Sequence, residues 1–580
     1  MDKRLRTDSK YHPVGIYVQT LKNSFASYKP KKMKIKSLLS LLLLSTSVSF
    51  AQSPTLIKDI AIGNNGNPQF MTNVNGTLFF VANDGTTGRE LWKSDGTQSG
   101  TSIVKDINPG ASHSQIAKII NFNGKACFRA SSNVNGYELW ISDGTEAGTK
   151  IIKEFGEGNL GIDPSDLIVF KNELYFTERN NTTGVNLWKT DGTETGTVLI
   201  KNLYTSGNAN NAAYLTVMGN HLYFFAAEVG LLTSDLWKTD GTSAGTSIVI
   251  SMSGQTGELI STGDKLFFAF GGTGGSATNK GLYITDGTSN GTVKVKDLAL
   301  SYMINFPTNG TAVYTNNNLI FTANDGVHGE ELWKSDGTEA GTVLLKDINT
   351  GISDGLDFQP FITKGFGGKV YFVAKDNSFV REIWTSDATE AGTMALDTPN
   401  FGSANPNGLY AYNGYVYYRA RSTSNLSGEE LWRTDGTRTG TVQVFDLWTG
   451  FNGSSPNYLC GMNNNLYFSA SDGSVGIELY GMPVSPLNTG AFNDKREVIS
   501  VFPNPADRVL LFSSLESRIS NFENAPFGSA QGPARYAIHD TRGRLVQEGT
   551  FTENTIDVSG LQSGVYILKV DAGVARFVKN

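Results

Sequence analysis

Apolar and polar positions recur along this chain with a period of about 48 residues. The clearest mark of the period is ELWKSDGTQSGT, Glu90 to Thr101, which returns as ELWISDGTEAGT from Glu138 and ELWKSDGTEAGT from Glu331. Six further copies are more diverged, and the ninth, ELYGMPV from Glu478, keeps the apolar stretch and loses the turn. The aromatic of the motif falls at Trp92, Trp140, Trp188, Trp237, Tyr283, Trp333, Trp384, Trp432 and Tyr480, in steps of 48, 48, 49, 46, 50, 51, 48 and 48 residues. Such a period marks a repeat architecture, and it takes precedence over any local reading.

Each unit predicts four short strands, A to D. In the first unit A covers about 69–73, B is Thr77 to Ala82, C is Glu90 to Lys93 and D is Ser102 to Ile107. Asn75-Gly76 between A and B predicts a tight hairpin. The DGTxxGT stretch joins C to D: an Asp can bond its own downstream amides, and a Gly adopts positive φ at little cost. Strand B reads LFFVA, ACFRA, LYFTE, LYFFA, LFFAF, LIFTA, VYFVA, VYYRA and LYFSA, nearly continuous apolar runs. A strand of that kind is covered on both faces. Leu91 and Trp92 are neighbours in strand C, so they point to opposite faces, and both are large and apolar. Four-stranded antiparallel units packed on both faces are propeller blades; a stacked β-solenoid would use much shorter repeats.

Strands A, B and C occur nine times, but D follows only the first eight. A spare D-like stretch, Leu56-Ile57-Lys58-Asp59-Ile60, stands alone before the first A and nearly copies Ile103 to Ile107. The expected fold is therefore all-β: a propeller of about nine four-stranded blades over residues 52–482, closed by the N-terminal strand, then a small Ig-like β-sandwich. Two propellers sharing the chain is the alternative, although no linker interrupts the period. The expected structural positions are the motif aromatics and the turn residues Asp95 with Gly96, Asp143, Asp191, Asp240, Asp286, Asp336, Asp387 and Asp435. Ala388 stands where seven turns carry Gly, and is strained if that position needs positive φ.

On these residues the repeats resemble the bacterial family named for its ELWxxDGT repeat. That resemblance implies a secreted repeat protein and no particular reaction; Tyr283 in place of Trp and Ala388 in place of Gly depart from it.

The N-terminus reads as a leader. Lys31, Lys32, Lys34 and Lys36 precede an apolar run from Leu38 to Val48, and Ser49-Phe50-Ala51 supplies small residues for cleavage between Ala51 and Gln52. The run is too short to span a bilayer. Met33 is the expected true start. Removing 1–51 takes away 10 of 48 basic and 2 of 54 acidic residues, leaving 38 against 52, a net charge of −14. An acidic chain is a poor binder of nucleic-acid phosphates. Cys127 and Cys460 lie in different repeats, separated by one intervening repeat of the expected ring, and read as buried free thiols.

After a polar linker, 483–496, the period stops and a separate domain, 497–580, begins. It runs VFPNPADRVLLF from Val501, YAIHDTRGRLVQEG from Tyr536 and IDVSGLQSGVYILKV from Ile556. At Pro503, Asn504, Pro505, Asp540, Gly543, Leu561, Gly564, Val565 and Tyr566 it resembles the C-terminal sorting domain of the type IX secretion system of Bacteroidetes-like bacteria. The resemblance implies the type IX machinery as partner, passage across the outer membrane, removal of the domain, and release or attachment at the cell surface. Residues 517–535, rich in Gly, Pro and Ala, read as a disordered insertion.

Candidate chemistry is sparse. His12, His113, His221, His328 and His539 occupy no equivalent repeat position and have no metal-ligand neighbour at useful spacing. Gly351 to Gly355 matches GxSxG but sits in a D–A connection, where the motif's strand-to-helix elbow is not expected. The turn aspartates resemble the Asp-box turns of sialidase-type propellers, which are structural. Calcium would need several oxygens converging on one loop, so the expectation is no cofactor, with structural Ca2+ as its alternative. No catalytic residue is assigned. The expected function is a non-enzymatic surface propeller binding a glycan or protein. The alternative is an extracellular polysaccharide hydrolase or lyase whose acids lie hidden in the irregular connections around one mouth of the propeller.

Overall fold

A computed structural model describes residues 53–155, 162–180, 184–204, 210–227, 233–271, 280–300, 310–356, 362–377, 380–396, 403–422 and 428–485. It further describes 497–498, 501–502, 509–512, 534–540, 544–551, 555–570 and 573–579. Residues Met33, Ala51, Gln52, Pro503, Asn504, Pro505 and Gly543, singled out above, lie outside the described residues, as do His12 and 486–496 of the linker.

Nine four-stranded antiparallel sheets follow one another, each with its strands in the order A-B-C-D. In the first blade A is Gln69–Val74, B Thr77–Asn83, C Arg89–Ser94 and D Ser102–Lys105. Asn75 and Gly76 both have positive φ, at 49° and 85°, the primed geometry that matches strand twist in a two-residue hairpin. Strand A of each blade touches strand A of the next around the whole circle, and that of the ninth blade, Asn457–Met462, touches that of the first. Strands A are therefore innermost, and the nine blades form one ring, not two propellers.

The ring is held between blades. Nine apolar clusters each join two neighbouring blades, one at every interface. In the first of them Phe79, Val81 and Leu91 meet Phe128, Ala130 and Trp140 of the second blade. Phe80 and Trp92, on the opposite face, meet Tyr467 and Leu479 of the ninth. Adjacent residues of one strand thus serve opposite interfaces, which is why the B strands read as unbroken apolar runs.

The N-terminal strand closes the ring. Thr55–Lys58 pairs antiparallel with Glu478–Pro483, with Leu56 opposite Tyr480. The pairing ends at Lys58 and not at Ile60: a bulge follows Leu56, and the Ile60 amide donates to Glu478 Oε2 at 2.8 Å. Leu56 is 38% exposed and Ile60 only 6%, so Ile60 is the residue that anchors the seam. The last blade strand extends through Pro483, where a linker was expected to begin.

The C-terminal residues form two small sheets. One has five strands, including Ala534–Asp540, Leu545–Phe551, Gly564–Val570 and Gly573–Lys579; the other has three, Val501–Phe502, Val509–Phe512 and Thr555–Asp557. Ile538, Ile556 and Leu568 are buried. Of the stretch 517–535 expected to be a disordered insertion, Ala534 and Arg535 are strand, paired with Phe551 and Thr550; 513–533 lie outside the described residues. Among the described residues no helix is long and apolar enough to cross a membrane.

Candidate functional site

The motif residues are consumed by the scaffold. In the first turn, Asp95 Oδ1 accepts from the Thr97 amide at 2.8 Å and the Thr97 hydroxyl at 2.7 Å. Thr97 Oγ1 accepts from the Gly100 amide at 3.0 Å, and the Thr101 hydroxyl donates to the Thr97 carbonyl at 2.6 Å. Ser94 Oγ accepts from the Gly96 amide at 3.0 Å. A side chain at Gly100 would collide with the Asp95 carboxylate. The same network recurs at Asp143, Asp191, Asp240, Asp286, Asp336, Asp387 and Asp435. The Thr97 hydroxyl and amide hold Asp95 below the usual carboxylate range. Every position of [ST]DGTxxGT is thereby explained, including the Ser/Thr and second Gly that carry no signal when read singly. Among the described residues no group of three His, Cys, Asp or Glu gathers in a way that could hold a metal ion.

The motif aromatics Trp92, Trp140, Trp237, Trp333, Trp384 and Trp432 are buried between blades; Trp188 is half-buried, its indole N–H donating to Glu178 at 3.2 Å. The motif glutamate, not singled out from sequence, pins the D–A connection. Glu331 accepts from the amides of Ile348 and Asn349 at 2.9 and 3.0 Å, and Glu90 from that of Ile107 at 2.8 Å. Burial pushes Glu90 and Glu331 up to about 7 and Glu138 up to about 8.

A different set of residues departs from the repeat. Strand A carries a β-bulge in the first, second, third, fourth, fifth, eighth and ninth blades, near the end that leaves the D–A connection. At equivalent bulge positions stand Phe70, Lys118, Asp166, Tyr214, Glu258, Gly408 and Tyr458. Phe70, Lys118, Asp166, Tyr214 and Tyr458 have φ between 49° and 67°. Left-handed backbone at bulky residues is costly and concentrates at sites where position matters.

Several of these residues meet across neighbouring blades at the D–A end of the innermost strands, the mouth of the ring. Phe70 and Tyr458 lie edge to face with centroids 5.8 Å apart. Lys118 Nζ is 3.4 Å from Asp166 Oδ1, and Asp166 Oδ2 accepts from the Tyr214 amide at 2.9 Å. Burial, then Asp166 and Glu258, push the Tyr214 phenol up to about 12. Burial pushes Glu258 up to about 7, and its Oε2 has no hydrogen-bond partner. Beside them Arg129 Nε is 2.7 Å from Asp163 Oδ1, with its guanidinium 4.0 Å from the Tyr137 ring centroid. The repeat gives this position no shared letter, so sequence reading passes over it. The visible signal is the absence of a consensus on strand A while strands B and C keep theirs.

The remaining sequence candidates fall elsewhere. His113 Nδ1 accepts from the Arg89 amide at 3.0 Å, and His328 Nδ1 is 2.8 Å from Asp325 Oδ2. Gly351 to Gly355 lie in a D–A connection, where the Gly355 amide donates to the Glu330 carbonyl at 3.1 Å. Cys127 and Cys460 are free and buried, and burial pushes Cys460 up to about 11.

Residues 500–580 match the family of the secretion system C-terminal sorting domain. No curated protein matches the chain. Solved structures with similarity include puromycin hydrolase, at 12% identity and TM-score 0.34, over 64% of this chain and 61% of that one. The chain therefore spans under two thirds of that enzyme's length. An oligogalacturonate lyase in complex with manganese shows 9% identity and TM-score 0.34, over 73% and 98%. PorZ, a surface component of the type IX secretion system of Porphyromonas gingivalis, shows 11% identity and TM-score 0.29, over 88% and 75%. The sorting domain marks the chain as an exported propeller protein, carried by the type IX machinery and attached at the cell surface after processing. Gly564 and Tyr566 lie in its strand Gly564–Val570, and the Tyr566 hydroxyl donates to the Gln562 carbonyl at 2.8 Å.

Proposed function

We propose that the exported chain is a non-enzymatic binding protein of the cell surface, and that its ligand, a glycan or a protein, sits at the channel mouth lined by the strand A bulges. One observation carries this reading. The scaffold repeats nearly letter for letter, whereas the bulge position changes from blade to blade through Phe70, Lys118, Asp166, Tyr214, Glu258 and Tyr458. A position that only supported the ring would be expected to repeat with it. Convergent polar groups beside aromatic surface are the ordinary make-up of a binding site. The test is to screen the exported protein, purified from its host, against immobilised glycans and extracellular proteins. Binding without product formation supports the reading. Binding that survives substitution of Phe70, Asp166 and Tyr458 together refutes the placement of the site.

A second reading rests on Glu258 and Asp166. Two carboxyl groups in unlike surroundings, one raised to about 7 by burial, are the raw material for acid-base cleavage of a glycan. It requires release of new sugar ends by the protein, and loss of that release in Glu258→Gln.

A further inference from the structure

The bulge ring also indicates the chemical class of the ligand, and this step rests on the site proposed above. Its cations are already matched within the protein, Lys118 with Asp166 and Arg129 with Asp163, while Glu258 adds a further carboxyl. A polyanion would have to break these pairs beside that carboxyl, and a polycation would have to displace Lys118 and Arg129. An extended peptide is disfavoured for a different reason. Adding a strand needs a regular row of free main-chain groups, and bulges with left-handed residues interrupt that row. In the first blade these are Phe70 on strand A and Asn67 just before it, in the second Lys118 and Gln115, and in the ninth Tyr458 and Ser455.

What remains is an uncharged ligand with both an apolar face and many hydroxyls. Phe70, 39% exposed, and Tyr458, half-buried, offer ring surface on one side of the mouth. On strands A of the second, third and fifth blades Lys118, Asp166 and Glu258 offer a donor and acceptors. A sugar ring has this duality: axial C–H groups pack on aromatic surface while equatorial hydroxyls bond to carboxylates and ammonium groups. We infer that the channel mouth binds a neutral oligosaccharide, stacked on the Phe70–Tyr458 pair and hydrogen-bonded by Asp166 and Glu258.

The experiment titrates the exported protein with cello-, manno- and maltohexaose as neutral probes and with a hexagalacturonate as charged probe. At least one neutral hexaose should bind, and the acidic one at least tenfold more weakly. Tyr458→Ala and Phe70→Ala should each weaken binding tenfold or more, whereas Tyr458→Trp, which keeps a stacking surface, should bind within threefold of the parent. Unchanged thermal melting of the Ala variants shows that the ring still folds, and Asp166→Asn, which keeps shape, serves if they do not. Preference for the acidic hexasaccharide, or binding of none of the four, overturns the ligand class. If a protein ligand is instead found and is lost in Tyr458→Ala, the site stands and the sugar assignment falls. If a hexaose binds equally to every variant, the site itself is wrong.

Discussion

The turns of the first, second, fourth, fifth, sixth and eighth blades pack against strand B of the preceding blade, and this makes Ala388 a quantitative probe of the ring. A side chain added at Gly96, Gly241, Gly287 or Gly436 would collide with the hydroxyl of Tyr467, Tyr175, Tyr223 or Tyr371. At Gly144 it would lie 3.3 Å from Phe79 Cζ. Ala388 has φ 71° and is 7% exposed, in the cluster that contains Ile320, the residue replacing those aromatics on the preceding blade. If the Ala388 methyl fills the space those aromatic rings take elsewhere, the two departures from the repeat compensate one another. Ala388→Gly relieves left-handed strain of about 1–2 kcal/mol. It forfeits a buried methyl worth about 0.8 kcal/mol and adds unfolded-state entropy worth about 0.4–1 kcal/mol. The net change should lie within about 0.8 kcal/mol of zero, less than strain alone suggests. Ile320→Tyr should cost about 1–3 kcal/mol by overpacking against the Ala388 methyl. In the Ala388→Gly background most of that cost should vanish, a coupling of about 1–2 kcal/mol. Urea denaturation of the four proteins, followed by tryptophan fluorescence, measures the cycle. Equal destabilisation by Ile320→Tyr in both backgrounds refutes the compensation.

Removing Ile60 and the residues before it should open the ring: the Ile60 side chain leaves its cluster, a loss of about 1.5–3 kcal/mol, and light scattering should report association through the exposed edge of Glu478–Pro483. Glu478→Ala leaves the amides of Ile60 and Gly66 unpaired and should cost about 1–3 kcal/mol by denaturation midpoint. Burial raises Glu138 from 4.5 to about 8, so the folded state holds a proton that the unfolded state releases. Its stabilising share is complete below about pH 4.5 and is lost as pH rises to about 8. Glu138→Gln should therefore match the parent near pH 5 and melt higher than it at pH 9; a lower melting point at both pH values contradicts this. Deleting 497–580 should leave a folded propeller in the periplasm of a type IX-competent host, checked by fractionation, with unchanged export as the contrary result.

The architecture was legible because it is carried by residues that repeat. Leu91 and Trp92, adjacent and both apolar, reveal that each blade is packed on two faces. Counting D strands reveals the closure at Leu56 to Ile60. Reading the DGT turn from its letters identified Asp95 and Gly96 but not why Gly100 or Thr101 recurs, since the reason is the carboxylate lying against Gly100. Glu90 passed unnoticed because its partner amide at Ile107 lies 17 positions away, across a turn. The channel site was illegible for the opposite cause. Phe70, Lys118, Asp166 and Tyr214 share a backbone conformation and no side-chain chemistry, so only the bulge in the folded strand shows them to be equivalent.

The claim that ligand meets this protein at the channel mouth is tested most directly by hydrogen exchange of the exported protein, with and without a bound neutral hexaose. The account predicts added protection in segments 67–72, 115–120, 163–168 and 455–460, where the bulges leave amides outside the regular strand ladder. It predicts no change at the turns 95–101, 143–149 and 191–197 on the opposite face. Protection confined to those turns, with the bulge segments unchanged, would contradict it.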